Sequence, residues 1–475
     1  MIFIRYPKEN VSFRNITGIA LAFIGLLVGA GFATGQEVVQ YFTAFGINGV
    51  WGIAVAGVIM TLAGTVFLQL GSYFHASEHN AVFRKVSHPI VSKMLDVAVI
   101  FTLFAVGFVM LAGAGSNLAQ QFGWPTWVGS TAMMVLVLVT GLLDVDKVSN
   151  VIGLLTPTII IAVIVLLGYT LMNMPADSAA VIETASQTDT PIGNWLVSAL
   201  NYNGLALILA VSMSLVIGGD HISPREAGWG GIIGGFVYSI LLAIAGFVLL
   251  MGADKIVGSD VPMLVLVNEM GDTAGVLMAV VIFLMIFNTS IGMFYALGKR
   301  LSAGRENRTY PIFVVGTLAG YAMSFFGFKT LMNYVYPILG YLGMFMVVVL
   351  VIAWLRGLSK IRDESTRRER IKSLLRLKLH PEKKYDAKND ETIGRELVES
   401  NLHHEVLFED LIEEVTEELE SDADVEFTAE EVEEQATDVN YYIESDGDSQ
   451  LTSEPSESGH ESRDEGGEKA PDPAR

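Results

Sequence analysis

The sequence predicts an all-α membrane protein of ten transmembrane helices. They form two five-helix halves of opposite direction (a 5+5 inverted repeat), with helices 1 and 6 discontinuous. Three observations carry this prediction. Apolar runs of bilayer-spanning length recur ten times, at 17–45, 50–74, 94–120, 127–143, 148–172, 195–218, 229–251, 274–297, 311–326 and 331–354. Lys and Arg gather in alternate connections between the runs. The first and sixth runs, five apart, each carry glycine and polar residues at mid-length, the pattern of an inverted repeat around a central site.

Composition agrees. The 475 residues are 51% hydrophobic, with 47 Gly and no Cys, which excludes disulfides, thiolate metal sites and Cys nucleophiles. The net charge of −21 is local: residues 396–475 hold 28 Asp and Glu against 3 Lys and Arg, whereas residues 1–395 hold 23 acids and 27 bases. The expected organisation is a transmembrane domain over 1–355, a basic juxtamembrane segment over 356–395, and an acidic, largely disordered tail over 396–475.

The first run is too long for a cleavable signal and reads as the first helix. Its segment Gly25-Leu26-Leu27-Val28-Gly29-Ala30-Gly31-Phe32-Ala33-Thr34-Gly35-Gln36-Glu37 is the most informative in the chain. Glycine weakens a helix and bares the backbone. Bare backbone in hydrocarbon costs several kcal/mol per group, so such a stretch belongs inside protein or along a cavity. With the N-terminus inside, the inner connections hold Arg5, Lys8, Arg14, Arg84, Lys85, Lys93, Lys147, Arg225, Lys299, Arg300, Arg305 and Arg308. The outer ones hold only Lys255 and Lys329. The connection 173–194 has no Lys or Arg, and its Asp177, Glu183 and Asp189 suit the outer face. The bias places both termini in the cytoplasm.

The sixth run is interrupted at Asn201-Tyr202-Asn203-Gly204, residues that form helix interiors poorly. The eighth run contains Ile286-Phe287-Asn288-Thr289-Ser290, and the ninth is the shortest. Past Trp354 the segment 359–379 is basic with scattered Leu and Ile. It reads either as a helix along the anionic inner leaflet or as simple positive-inside anchoring. Leu397, Leu402, Val406, Leu407, Leu411, Val415 and Leu419 recur at helical spacing, so an acidic amphipathic helix follows before disorder sets in near residue 421. Removal of 396–475 is expected to leave folding and transport largely intact.

At a helix break, freed amides attract anions and freed carbonyls attract cations. Breaks at Gly29, Ala30 and Gly31, with Thr34 beside them, and at Asn201, Tyr202, Asn203 and Gly204 therefore suit a zwitterion such as an amino acid. The competing explanation of the glycines is close helix packing. The default role of Thr289 and Ser290 is to bond the carbonyl four residues back. Their alternative is to offer oxygens to a hard cation. Glu37, next to Gln36, is the one acid of the first run. It reads equally as a coupling or gating group and as a hydrated acid near the outer surface. His75, His79 and His88 read as ordinary surface residues.

The Val28-Gly29-Ala30-Gly31 break, the ten runs in two fives and the Thr289-Ser290 pair resemble the LeuT-fold amino acid–polyamine–organocation superfamily. Gly29-Ala30-Gly31-Phe32-Ala33-Thr34-Gly35-Gln36-Glu37 is similar to the signature of the YkvI-like membrane proteins, a family of amino-acid permeases. The resemblance spans residues 10–355 in architecture and leaves out the tail. It implies a sodium ion on the carbonyls of Gly25, Val28 and Ile286 and the hydroxyls of Thr289 and Ser290. A second sodium site of some relatives uses an Asn just after the break. Phe32 stands there in this chain, so that site is not implied.

The functional expectation is a sodium-coupled secondary transporter of a small polar solute, in the plasma membrane, working by alternating access. Na+ is the only ion called for. No cofactor and no nucleic-acid partner are expected; the partners are the solute and the bilayer, and the sequence names none for the tail. The alternatives are a proton-coupled carrier using Glu37 and a transporter-fold sensor signalling through the tail. An enzyme is disfavoured because the runs lack clustered His, Asp or Glu.

Overall fold

A computed structural model of the chain describes residues 12–142, 155–302, 304–386, 388–422, 425 and 427, and among them every regular element is helical. The segments 1–11, with Arg5 and Lys8, and 143–154, with Lys147, lie outside the described residues, as does the tail beyond 427.

The first run folds as three pieces, α1 (Phe13–Leu27), α2 (Ala30–Thr34) and α3 (Gln36–Tyr41). The membrane part continues with α4 (Ile47–Phe74), α5 (His79–Val86), α6 (Pro89–Phe122), α7 (Thr126–Thr140) and α8 (Leu155–Met172). Beyond it come α9 (Ser178–Ser186), α10 (Trp195–Gly219), α11 (Pro224–Met251), α12 (Ala253–Ile256), α13 (Pro262–Asn268), α14 (Asp272–Leu301) and α15 (Glu306–Ser324). The last three helices are α16 (Phe328–Leu379), α17 (Lys388–Val398) and α18 (His404–Glu420). Starts are set by caps: Asn194 accepts from the amides of Leu196 and Val197, and Ser223 caps α11 ahead of Pro224.

Among the described residues, seven helices (α4, α6, α8, α10, α11, α14 and α16) are long and apolar enough to cross a membrane, and α1 and α7 are shorter apolar helices. Large apolar side chains such as Val58, Leu62, Val97, Ile161 and Leu277 are 60% or more exposed. That is the distribution hydrocarbon solvent allows and water does not.

Packing follows a five-run offset. Helix α1 packs on α11 and α10 packs on α4, while α4 and α11 pack on each other. A second group has α6 on α14, α6 on α15 and α14 on α7. Runs 1, 2, 6 and 7 thus form one body and runs 3, 4, 8 and 9 another, with α16 leaning on α10, α6 and α4.

The expectation of a broken sixth helix is overturned: α10 is continuous over Trp195–Gly219. Its polar residues are absorbed locally. The Asn203 side-chain amide donates to the Ala199 carbonyl at 2.9 Å, and that of Asn201 donates to the Pro337 carbonyl of α16 at 2.9 Å. Gly204 is a contact residue, since a Cβ there would fall 2.0 Å from the Gly340 carbonyl oxygen. The glycine admits the α16 backbone and is not a hinge.

The boundary expected at residue 355 falls inside α16, whose 52 residues run on past the apolar stretch. The basic stretch does not lie free on a leaflet. Ile371, Leu374, Leu375 and Leu379 form a separate apolar core with Ile393 and Leu397 of α17 and Leu407, Leu411, Val415 and Leu419 of α18. Residues 396–420 are thus part of a folded unit, which revises the expectation that they are dispensable to folding.

Arg368, 1% exposed, fastens that unit to the membrane helices. Its Nε donates to Glu364 at 2.8 Å. Nη1 donates to the carbonyls of Ser72 (3.0 Å) and Ile222 (2.8 Å), and Nη2 donates to the Tyr73 carbonyl (3.0 Å) and to Asn401 Oδ1 (2.8 Å). Burial alone would raise the Glu364 carboxyl, but Arg368, Ser400 and Arg367 hold it below its usual range. Burial likewise opposes the Lys372 charge, yet Glu414 and Glu418, at 3.0 and 2.7 Å, raise its ammonium above the ordinary value. Asn15 of α1 also donates to both Glu226 of α11 and Glu414 of α18.

His79 is not a surface residue. It is buried beside Arg300, which also binds Asp96 and Asn80, and burial together with the Arg300 charge pushes the imidazole down to about 3. His75 pairs with Asp410 of α18 at 3.3 Å.

Arg368→Ala takes one charged partner from the buried Glu364 and from three main-chain carbonyls. The expected loss is roughly 3–5 kcal/mol, read as a lower thermal midpoint of the purified protein and faster proteolysis of residues 380–422. Arg368→Lys should recover only part, because an ammonium cannot reproduce the fork of bonds. An unchanged midpoint in Arg368→Ala would refute the clamp.

Candidate functional site: the break between α1 and α2

Helix α1 ends where Val28 N–H closes on the Ile24 carbonyl (2.9 Å) and Gly29 N–H turns back to the Leu27 carbonyl (3.0 Å). The bond from Gly29 to the Gly25 carbonyl is therefore not made, and the Gly25 and Val28 carbonyls drop out of the helical ladder. Gly29 is extended (φ −97°, ψ −175°), and α2 starts at Ala30.

The rest of the motif has a steric logic. Gly35 separates α2 from α3 with φ +77°, a left-handed conformation that favours glycine. The Thr34 hydroxyl donates to the Gly31 carbonyl at 2.8 Å and accepts from Gln36 N–H at 3.4 Å. Gln36 and Glu37 then open α3. The half-buried Glu37 carboxylate folds back over α2: a Cβ built on Gly31 would fall 1.6 Å from its Oε1. Gly31 is glycine because the carboxylate occupies that space.

Four buried tyrosines share the core near this acid. Tyr41, Tyr202, Tyr238 and Tyr336 are all buried and all within electrostatic reach of Glu37. The Tyr202 ring sits 5.6 Å from that of Tyr41 and 4.9 Å from that of Phe42, and its hydroxyl pairs with that of Tyr238. Phe32 lies 5.9 Å from the Tyr238 ring. The Tyr41 hydroxyl donates to Asn201 Oδ1 at 3.1 Å, which brings α10 onto α3. Gln40 donates to the Met332 carbonyl of α16.

Several buried polar atoms here have no hydrogen-bond partner among the described residues: Gln36 Oε1, Gln40 Oε1, Tyr336 Oη, Asn203 Oδ1 and Ser290 Oγ. Each such atom costs about 1–3 kcal/mol while unpaired, so each is a place where an external partner would bond.

The residues expected to act together are only partly assembled. Gly29, Ala30, Gly31, Thr34, Gln36 and Glu37 form the break, and Asn201 and Tyr202 join them through Tyr41 and Phe42. Gly204 does not join them and faces α16. Helix α14 is unbroken and packs on α2. Thr289 spends its hydroxyl on the Met285 carbonyl at 3.1 Å, the Ile286 carbonyl lies inside the helical run, and Ser290 alone keeps a free buried hydroxyl. No group of three or more His, Asp or Glu placed to hold a metal occurs among the described residues. Sequence reasoning missed Gln40, Tyr41, Tyr238 and Tyr336. The spacing of Gln36 with Gln40 and Glu37 with Tyr41, one helical turn apart in an apolar run, was the available signal for the first two.

Gly31→Ala should lower the thermal midpoint by pushing against Glu37. In a double-mutant cycle, Glu37→Ala should remove most of that penalty, a coupling of about 0.5–3 kcal/mol. Additive effects would show that the two residues do not meet.

No family model matches the chain. It is 27% identical over 326 residues to the uncharacterized membrane protein YkvI of Bacillus subtilis (strain 168), a match covering 69% of this chain and 92% of YkvI. It is 22% identical over 334 residues to the uncharacterized protein YyaD of the same organism, covering 70% and 95% of the two chains. Among solved structures, the inward-facing conformation of Mhp1 superposes with a TM-score of 0.49 at 11% identity, over 71% of this chain and 76% of that one. The Eremococcus coleocola manganese transporter superposes with a TM-score of 0.45 at 13% identity, over 91% and 93%. The chain is similar to YkvI through most of YkvI's length, and it is an all-helical, multi-pass membrane protein.

Proposed function

We propose that this protein is a secondary transporter of a small zwitterionic solute, such as an amino acid, with the ten-span inverted-repeat architecture of LeuT-like carriers. The observation that carries the reading is the break at Val28–Gly29. It frees backbone groups inside an apolar run, in a chain whose helices pair with a five-run offset. Gly29–Gly31, Thr34, Asn201 and Tyr202 would contact the solute, with the unpaired oxygens of Gln36 and Gln40 available to an ammonium. Sodium is the proposed coupling ion. Of its candidate ligands, the Gly25 and Val28 carbonyls and the Ser290 hydroxyl are free to bind, whereas Thr289 would have to exchange its bond to Met285. The second reading, proton coupling, is favoured by one feature: Glu37 sits directly over the break within reach of four tyrosines.

Counterflow of labelled amino acids in proteoliposomes, with and without a sodium gradient, tests both. Ser290→Ala should raise the sodium concentration needed for half-maximal uptake by about 5–150-fold, the range of one lost ligand, and Thr289→Ala should raise it less. Uptake indifferent to sodium and to both changes, yet abolished by Glu37→Gln, would replace the sodium reading with the proton one.

The proposed topology has both termini cytoplasmic. The chain has no cysteine, so single cysteines report without background. One introduced in the connection 173–194 should react with an impermeant maleimide from outside the cell, and one after Arg356 should not. Outside labelling of the latter would overturn the inverted repeat.

A further inference from the structure

At the end of the bundle where α16 leaves its apolar stretch, α4, the end of α5, the start of α6 and α16 line an open cavity of about 620 Å³. Its two halves differ in chemistry. Leu70, Val349 and Ile352 line the side toward the apolar runs, and Lys85, Arg356 and Lys360 line the other. Most cations further along α16 are already matched: Arg367, Arg368, Arg370, Lys372, Arg376 and Lys378 all bind carboxylates. Lys85, Arg356 and Lys360 are in no ion pair among the described residues, and the Lys85 ammonium rests 5.1 Å from the Phe74 ring centroid. Three unmatched positive charges on one cavity create a local field that an anion would relieve.

We propose that this cavity is a binding site for an anionic phospholipid, its phosphate among Lys85, Arg356 and Lys360 and the start of an acyl chain against Leu70, Val349 and Ile352. The level fits. The apolar-to-basic change along α16, from Ile352 to Arg356, is one helical turn, which is where a bilayer passes from hydrocarbon to headgroup. A free phosphate would satisfy the cations but leave the apolar half in water, so the lining favours a lipid. Gly357 borders the cavity, and a Cβ there meets only Ile361 Cδ1, at 3.9 Å. A larger side chain can therefore be placed at 357 to fill the space without touching the charges.

The test uses the full chain, purified and delipidated, with added lipid followed by native mass spectrometry and thermal unfolding. Phosphatidylglycerol should be retained and should raise the midpoint, and phosphatidylcholine should do neither. Lys85→Gln, Arg356→Gln and Lys360→Gln should each weaken phosphatidylglycerol binding about fivefold. Gly357→Leu should weaken it with all charges intact, and Lys93→Gln, outside the cavity, should not. Three outcomes would overturn the site: equal retention of both lipids, an equal midpoint shift from inorganic phosphate alone, or wild-type retention in both the triple Gln variant and Gly357→Leu.

Discussion

Hydrocarbon offers no hydrogen bonds, so a backbone interrupted inside it must find its partners within the protein. Helix α10 meets the demand by staying whole: Asn203 bonds within its own helix and Asn201 reaches the Pro337 carbonyl of α16. The first run cannot, because Gly29 turns its amide back on Leu27 and strands two carbonyls. What surrounds that defect makes it tolerable. Close by in the same core lie Tyr41, Tyr202, Tyr238 and Tyr336, buried side chains that are apolar in body and polar at the tip. The remainder of the bundle can then be plain helix against helix.

The same requirement explains the far end of the molecule. Helix α4 finishes with Ser72, whose carbonyl takes only the His75 amide from the chain that follows, and Tyr73, whose carbonyl takes the Asn401 side chain; the Ile222 carbonyl lies in the connection after α10. A single guanidinium, with donors enough for all of them, gathers these ends and ties them to Glu364 and Asn401. The acidic residues of α18 extend the tie to α1 through Asn15 and to α4 through His75. About 30% of this chain lies outside each match to the two Bacillus subtilis proteins, while those proteins are almost fully covered.

Much of this was legible in the sequence. In their described residues the ten apolar runs coincide with helices, and the Gly29-Ala30-Gly31 break is where the backbone departs from helix. The continuity of α10 was not legible, because Asn and Gly lower helix propensity by amounts that a neighbouring helix overrides: Gly204 is answered by Gly340, more than 130 residues away. The helical spacing of the tail up to Leu419 was legible, but its packing was not, for a related reason. Its acids and the bases of 356–395 looked like separate solvated blocks, and only the fold shows Arg367, Arg370, Lys372 and Arg376 pairing with Glu396, Glu399, Glu418 and Asp422. Charge complementarity between distant segments leaves no local periodicity to read. Glu37 was visible as an acid in an apolar run, but its lodging over Gly31 depends on the left-handed turn at Gly35.

Helix α16 has a mechanical consequence. Its 52 unbroken residues make a rod about 78 Å long, more than twice the hydrocarbon thickness of a bilayer. The part beyond residue 355 is a lever arm of roughly 36 Å, so a tilt of ~5° in the embedded portion would sweep its tip by about 3 Å. At Arg368, about 20 Å along that arm, the same tilt is a displacement of roughly 2 Å, which hydrogen bonds to Ser72, Tyr73 and Ile222 do not survive. Any rocking of α16 against α4 and α10 is thereby converted into an all-or-nothing event at Arg368: either the three helices turn as one body, or the latch opens.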